Sequence, residues 1–387
     1  MKGLIKYLTR LAKRLLSFFS YLIPKKNNRI FFKSKPDYSG NCKAVSDYIL
    51  ANKLDYEIIW SVKETNKSNT FISVESGSLK SLYYYLTSKF IMTTHNEMIG
   101  IAARNQTYIS LWHGMPLKKI CYLGEFDYLG MEDYSSKRIA TSELMRSVIS
   151  ACFREKANNV YVTGQPRNDY LFSPVALSSL AIEARKDDKI LLYIPTFRQN
   201  NEDRRYSDGK GIDHNNFLRV NDFDLESLDN FLSKNKIHLL LKLHPYEEVY
   251  FKNKKSLTSN ITVIDSGNLA SKNIDLNQLL PSVDCLITDY SSVYFDYLLL
   301  NKPMIFLVPD LIDYGQSRGG FTLEPFEFWT PGDKVSTQHQ LIDAINEAVF
   351  GDDKYINFRT EMNKVINHYH DGNSSKRVVE FFLEKNK

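Results

Sequence analysis

The chain has 387 residues, 43% hydrophobic and 25% charged, a composition that excludes a disordered or low-complexity protein and makes two domains the starting expectation. Its four cysteines, Cys42, Cys121, Cys152 and Cys285, lie far apart without a C-x-x-C pair, which argues against a zinc site or disulfide framework. The net charge of +5 is uneven: residues 1–35 hold ten basic residues and no acidic one, so the remainder carries −5, and nucleic acid is not an expected partner.

The first element in chain order is a helix. Leu4, Ile5, Leu8, Leu11, Ala12, Leu15, Leu16, Phe19, Leu22 and Ile23 recur at helical spacing on one face, with Lys2, Lys6, Arg10, Lys13, Arg14, Ser17 and Ser20 on the other. The uncharged run from Leu15 to Pro24 is about half of what crosses a bilayer. A cationic amphipathic helix over residues 1–28 is therefore expected to lie on an anionic membrane surface, peripherally and on the cytoplasmic face. The rivals are a signal peptide, which lacks a small-residue cleavage site here, and a helix packed on the protein's own body.

Beyond it, short apolar runs alternate with helical patterns: Arg29–Lys33, Tyr56–Val62, Phe90–Thr94, Thr107–Trp112, Arg138–Thr141, Val160–Thr163, then Ile190–Phe197, Ile237–Leu243, Ile261–Asp265, Cys285–Thr288 and Met304–Val308. This alternation predicts α/β architecture, with two Rossmann-like lobes joined near Gly164–Asp169. The predicted domains are 29–170 and 171–387, with the last helix free to pack back on the first lobe. The polar stretch Gln199–Asn216 is long enough for a lid or a disordered loop.

Ligands of such sheets collect beyond the carboxyl ends of strands. There the sequence places His113-Gly114 with Lys118 and Lys119, then Pro195-Thr-Phe-Arg198, His244-Pro245, and Asp289-Tyr-Ser-Ser292. A histidine near neutrality can accept a hydroxyl proton, and Gly114 lets backbone approach a ligand, yet His113 equally suits a plain hydrogen bond to a neighbouring loop. Asp289, Ser291 and Ser292 read either as an anion site at a helix start or as an ordinary N-cap. Arg318-Gly-Gly320 offers a cation, and Ser374-Ser-Lys376 repeats the turn, hydroxyl and base pattern. Asp222-x-Asp224 resembles a metal-binding D-x-D but precedes a helical pattern, so capping is expected and no metal is assigned.

These pieces, from Tyr38-Ser-Gly-Asn41 through Trp112–Lys119, Thr163–Asp169, Pro195–Arg198, Leu243-His-Pro245, Ile287–Ser292, Phe295-Asp-Tyr297, Arg318-Gly319 and Pro331-Gly332 to Asp371–Arg377, resemble in order the CDP-glycerol glycerophosphotransferase family of teichoic acid synthesis. The resemblance covers residues 30–385. It implies a GT-B fold with the active site between the lobes, no metal or cofactor, and attack of an acceptor hydroxyl on a CDP-alcohol with release of CMP. The implied donor is CDP-glycerol or CDP-ribitol, and the implied acceptor is a lipid-linked saccharide or polyol phosphate. On this reading His113 is the general base and His244 stabilises the departing CMP. Arg198, Asp289, Ser291, Ser292, Arg318, Ser374, Ser375 and Lys376 hold the donor, while Gly114, Lys118 and Lys119 serve acceptor or phosphate. Two departures, Met115 for a small polar residue and the extra glycine of Gly319-Gly320, bear on which alcohol is used. A GT-B glycosyltransferase and a membrane scaffold with a degenerate site are the competing readings. The short N-terminal extension leans toward priming or a capsule-type variant.

Overall fold

A computed structural model describes the chain except residues 1, 66–67, 125–127, 129–130, 186, 199–214, 246, 252–255, 318 and 385–387. Its described strands form two seven-stranded sheets. The first contains β1 (Lys26–Lys33), β2 (Glu57–Val62), β3 (Ile72–Glu75), β4 (Ser88–Thr93), β5 (Thr107–Ser110), β6 (Lys137–Ala140) and β7 (Val160–Val162), in the order β3-β2-β1-β4-β5-β6-β7. The second contains β8 (Lys189–Ile194), β9 (Ile237–Leu241), β10 (Ser256–Thr258), β11 (Ile261–Val263), β12 (Cys285–Thr288), β13 (Met304–Leu307) and β14 (Asp333–Val335), in the order β10-β11-β9-β8-β12-β13-β14. All pairings are parallel except that of β10 with β11.

The central strands are mostly apolar, as suits parallel sheets buried on both faces. On one face of the first sheet Ile30, Phe32, Trp60 and Met92 pack with Val378, Val379, Phe382 and Leu383, so the C-terminal end of the chain returns to the first sheet. On the second, Leu192, Ile194, Tyr290 and Phe295 share a core with Met115, Leu117, Ala140 and Met145. That core is continuous between the two halves. It fixes their relative position and leaves a cleft above it.

Every strand expected from the sequence is present, most of them slightly shorter. The Thr107–Trp112 run leaves the sheet after Ser110, and Trp112 adopts a left-handed φ of 51° just before His113. Pairing of Thr93 with Ser110 then sets Thr94, His95 and His113 side by side at one sheet edge. Three strands were not anticipated, β3, β10 and β14.

The N-terminal helix, Lys2–Leu22, touches the first lobe through polar groups. Ser17 Oγ donates to Ala102 O at 2.8 Å, Ser20 is fully buried beside Gln106, and Arg10 and Lys13 meet Glu132. Leu8, Leu11, Leu15, Leu16, Phe19 and Leu22 remain exposed. Among the described residues no helix is long and apolar enough to cross a membrane. Asp224 caps the helix Leu225–Lys234, as expected, and Asp222 accepts from Gln338 N and His339 N at the start of another, so neither is set aside for a metal.

Candidate active site

A cavity of about 380 Å³ lies where the carboxyl ends of the two sheets face each other. The first half contributes Trp112 to Lys118, Ile120 and Arg167; the second contributes Pro195 to Phe197, Lys242 to Pro245, Ser291 and Ser292. His113 and His244 thus line one cavity from opposite sides.

His113 is held by its backbone surroundings. Its Nδ1 lies 3.2 Å from Thr94 O, and a carbonyl only accepts, so Nδ1 carries the proton and Nε2 keeps its lone pair. The ring of His95 stacks on it at 4.2 Å, nearly parallel. The side chains packed around the ring, with smaller contributions from His95, Arg167 and Lys118, lower the His113 pKa below its ordinary value, so the ring is neutral near pH 7, while the residue itself is open to the cavity. His244 sits against the Phe197 ring, and burial together with Lys118, Lys242 and Lys35 also lowers its pKa to about 3. Both rings lie beside cations, Arg167 and Lys118 near His113 and Lys118, Lys242 and Lys35 near His244. A phosphate entering the cavity offsets the lysines and raises both values.

Gly114 is needed as glycine. Its φ is +150°, and a Cβ there would come within 3.0 Å of Ser292 Oγ and 3.2 Å of Arg167 Nη2. The same closeness brings the His113 loop against the Ser291-Ser292 turn. Ser291 Oγ accepts only a long 3.4 Å bond from Val293 N, and Ser292 makes no side-chain cap. Lys118 points along the cavity near the Tyr314 ring, with no carboxylate partner among the described residues. Met115 is buried in the cavity wall.

Other expected site residues are engaged elsewhere. Arg198 is buried and bound to Asp289 at 3.0 Å, Asp310 at 2.8 Å and Thr196 Oγ1 at 2.6 Å. Burial opposes its charge, but Asp289 and Asp310 hold its pKa well above the ordinary value. Asp289 itself accepts from Thr196 N, Thr196 Oγ1 and Tyr290 N. This pair shapes the strand-end loops from beneath the cavity and has no donor atoms left for a substrate. Lys119 turns out to Glu324 at 3.5 Å while its N–H donates to Gly320 O. Ser374 N and Ser375 N donate to the Asp169 carboxylate at 2.8 and 2.7 Å, which fills that helix start with an internal anion, and Lys376 lies on the surface beside Glu380. These three are not at the cleft. Arg318, and residues 199–214 of the possible lid, lie outside the described residues.

The structure adds two residues that sequence reasoning left unassigned. Arg167 donates to His113 O at 2.7 Å and to Asp296 at 2.6 Å, tying the His113 loop to the second half of the protein. Asp296 is fully buried, and burial raises its pKa against the pull of Arg167; Gln165 Nε2 supplies a second bond at 2.6 Å. Both lie inside quoted motifs, Thr163–Asp169 and Phe295-Asp-Tyr297. His95, by contrast, had no signal beyond its place one residue after a strand end.

Residues 15–384 match the sequence model of CDP-glycerol:poly(glycerophosphate) glycerophosphotransferases. The chain is 32% identical to a teichoic acid poly(glycerol phosphate) polymerase of Bacillus spizizenii over 99% of both proteins. It is 29% identical to the teichoic acid ribitol-phosphate polymerase TarK of Staphylococcus aureus, covering 95% of this chain and 71% of that one. The fold is that of the wall teichoic acid polymerase TagF, with a TM-score of 0.77 at 19% identity over 100% of this chain and 98% of that one. This likeness places the two-sheet architecture with GT-B-like folds.

Proposed function

The chain belongs to the CDP-glycerol:poly(glycerophosphate) glycerophosphotransferase family and is a phosphotransferase of that kind, and from this premise we propose how its cleft performs the transfer. A CDP-alcohol, CDP-glycerol or the ribitol counterpart, binds with its diphosphate between Lys118, His244 and the hydroxyls of Ser291 and Ser292. The hydroxyl of a lipid-linked saccharide or polyol-phosphate acceptor approaches His113. Its oxygen forms a bond to the phosphorus bearing the alcohol as the bond from that phosphorus to the CMP oxygen breaks. The hydroxyl proton passes to His113 Nε2, and CMP leaves as an anion facing His244 and Lys118. Product is a phosphodiester in a teichoic acid or capsule-type polymer. The reaction so written asks for no cofactor or metal, because the lysine and the polar side chains meet the developing charge.

The observation that carries this reading is the Nδ1–H bond of His113 to Thr94 O, which leaves Nε2 as the acceptor atom in a cavity of opposed cations and hydroxyls. His113→Ala should lower CMP release by about 10²-fold or more while CDP-alcohol binding, measured by calorimetry, is retained. Near-normal turnover in the folded variant removes the base from this scheme. Turnover of UDP-sugars in place of CDP-alcohols would favour a glycosyltransferase instead.

The N-terminal helix is proposed to seat the enzyme on the cytoplasmic face of the membrane. Ser17, Ser20, Arg10 and Lys13 are engaged with the protein body, while Leu8, Leu11, Leu15, Leu16, Phe19 and Leu22 stay exposed. The expected division into membrane helix (1–28), acceptor lobe (29–170) and donor lobe (171–387) is proposed with two adjustments: the helix ends at Leu22 and β1 opens the acceptor lobe at Lys26, and the C-terminal end packs on the acceptor lobe.

A further inference from the structure

At the other edge of the first sheet, where strands begin, lies a second cavity of about 420 Å³. Its wall includes Arg104 and Thr107 ahead of and opening β5, Tyr134, Ser135 and Lys137 at the start of β6, and Asn159 just before β7. A four-residue strand, roughly 13 Å long, separates this edge from the one that carries His113. The two cavities are therefore distinct.

Its charge balance favours an anion. Among the described residues Lys137 reaches neutral partners, Asn159 Oδ1 at 2.9 Å and Tyr161 OH at 3.4 Å. Arg104 is exposed with no carboxylate against it among the described residues. The carboxylates nearby are already engaged: Glu132 by Arg10, Lys13 and the Tyr134 hydroxyl, Asp133 by the Tyr122 hydroxyl, and Glu155 by Ser136 N and Arg138. Two cations beside amide and hydroxyl groups suit a phosphate that carries a polar substituent.

The N-terminal helix runs along the rim. Ser17 bonds Ala102 O and Ser20 meets Gln106, both wall residues, while Lys13 lies 5.9 Å from the centre of the Tyr134 ring. Its exposed apolar strip, if sunk at the boundary between headgroups and acyl chains, brings the adjoining cavity level with the phosphate layer. We propose that this cavity binds the phosphodiester of an anionic lipid headgroup and so sets the orientation of the catalytic cleft over the bilayer. The inference rests on the reading of the helix as membrane-seated. The chemistry is shared by free phosphate, and the test separates the two.

Full-length protein is floated with vesicles of phosphatidylcholine alone and with added phosphatidylglycerol. Arg104→Gln with Lys137→Gln should reduce the preference for phosphatidylglycerol about tenfold and leave binding to phosphatidylcholine unchanged. Ser135→Trp fills the cavity from an exposed position without changing charge, and should reduce the same preference. Unaltered preference in Ser135→Trp means diffuse attraction and overturns the site, whatever the charge variants do. A second arm titrates water-soluble, short-chain phosphatidylglycerol and inorganic phosphate by NMR. Saturable binding of the lipid that Ser135→Trp abolishes supports the site, even should the wild type fail to float, in which case the membrane reading of the helix fails alone. Inorganic phosphate bound as tightly as the lipid overturns the headgroup assignment. CMP release with a soluble acceptor serves as the fold control for each variant and should stay unchanged.

Discussion

Two serine pairs, Ser291-Ser292 and Ser374-Ser375, look alike in the sequence: each follows an aspartate by a few residues and opens a short helix. In the fold they differ. The backbone N–H groups of Ser374 and Ser375 are satisfied by Asp169, 205 and 206 residues away in the chain, whereas Ser291 and Ser292 border the cleft with little internal bonding. The cations divide in the same way, Arg198 bound on two sides by carboxylates and Lys118 by none among the described residues. Availability for a substrate is thus decided by what the fold brings across, since a polar group already paired loses more by leaving its partner than it gains from a ligand.

The largest effect should come from breaking the satisfied set. Arg198→Met strands Asp289 and Asp310 without their cation and should cost about 3–5 kcal/mol in urea unfolding. Donor affinity of the folded fraction should stay near wild type. A variant of unchanged stability that no longer binds CDP-alcohol would return Arg198 to the donor site. His244→Ala tests the unsatisfied set, and should weaken donor affinity as well as turnover by about 10²-fold, unlike His113→Ala, which spares donor binding.

A smaller difference separates the serine pairs themselves. Ser291→Ala with Ser292→Ala should weaken donor binding by roughly 1–3 kcal/mol, while Ser374→Ala with Ser375→Ala leaves it unchanged, because the backbone bonds to Asp169 survive the substitution. Equal donor affinities in the two double variants would erase the distinction.

That distinction also marks where sequence reasoning stopped. The eleven strands it found are those whose apolar or β-branched runs announce burial. The three it missed, β3, β10 and β14, each lie at a sheet edge, are three or four residues long, and mix polar with apolar side chains because one side lacks a partner. Strand ends could likewise be placed, which put His113, His244, Ser291 and Ser292 at one cavity. Pairing across long separations could not: Arg198 with Asp310, Asp169 with Ser374 and Arg167 with Asp296 are contacts of tertiary structure with no local trace. His95 was missed for the same reason. Its stack on His113 follows from the register of β4 against β5 and from the left-handed turn at Trp112.

The smallest predicted effect uses His95 to ask whether the cleft side of this contrast is a property of the empty protein. Burial, aided by Lys35, lowers the His95 pKa to about 4, and packed side chains with neighbouring cations lower those of His113 and His244 as well. In the unfolded chain each returns to its ordinary value near 6.5. Between the folded and unfolded values the unfolded chain binds more protons, so stability rises with pH; the contribution is complete above the unfolded value and is lost as pH falls toward the folded one. From pH 7 to pH 6 a histidine held fully neutral in the fold would cost about 0.7 kcal/mol, and His95, a third open to solvent, should cost less than that. His95→Phe preserves a stacked ring and deletes one proton site, so the change in unfolding free energy between those two pH values should shrink by the His95 share, whatever the variant's stability at pH 7. An unchanged slope would mean that His95 titrates normally in the folded protein, and that the stack against His113 does not hold the His95 ring neutral.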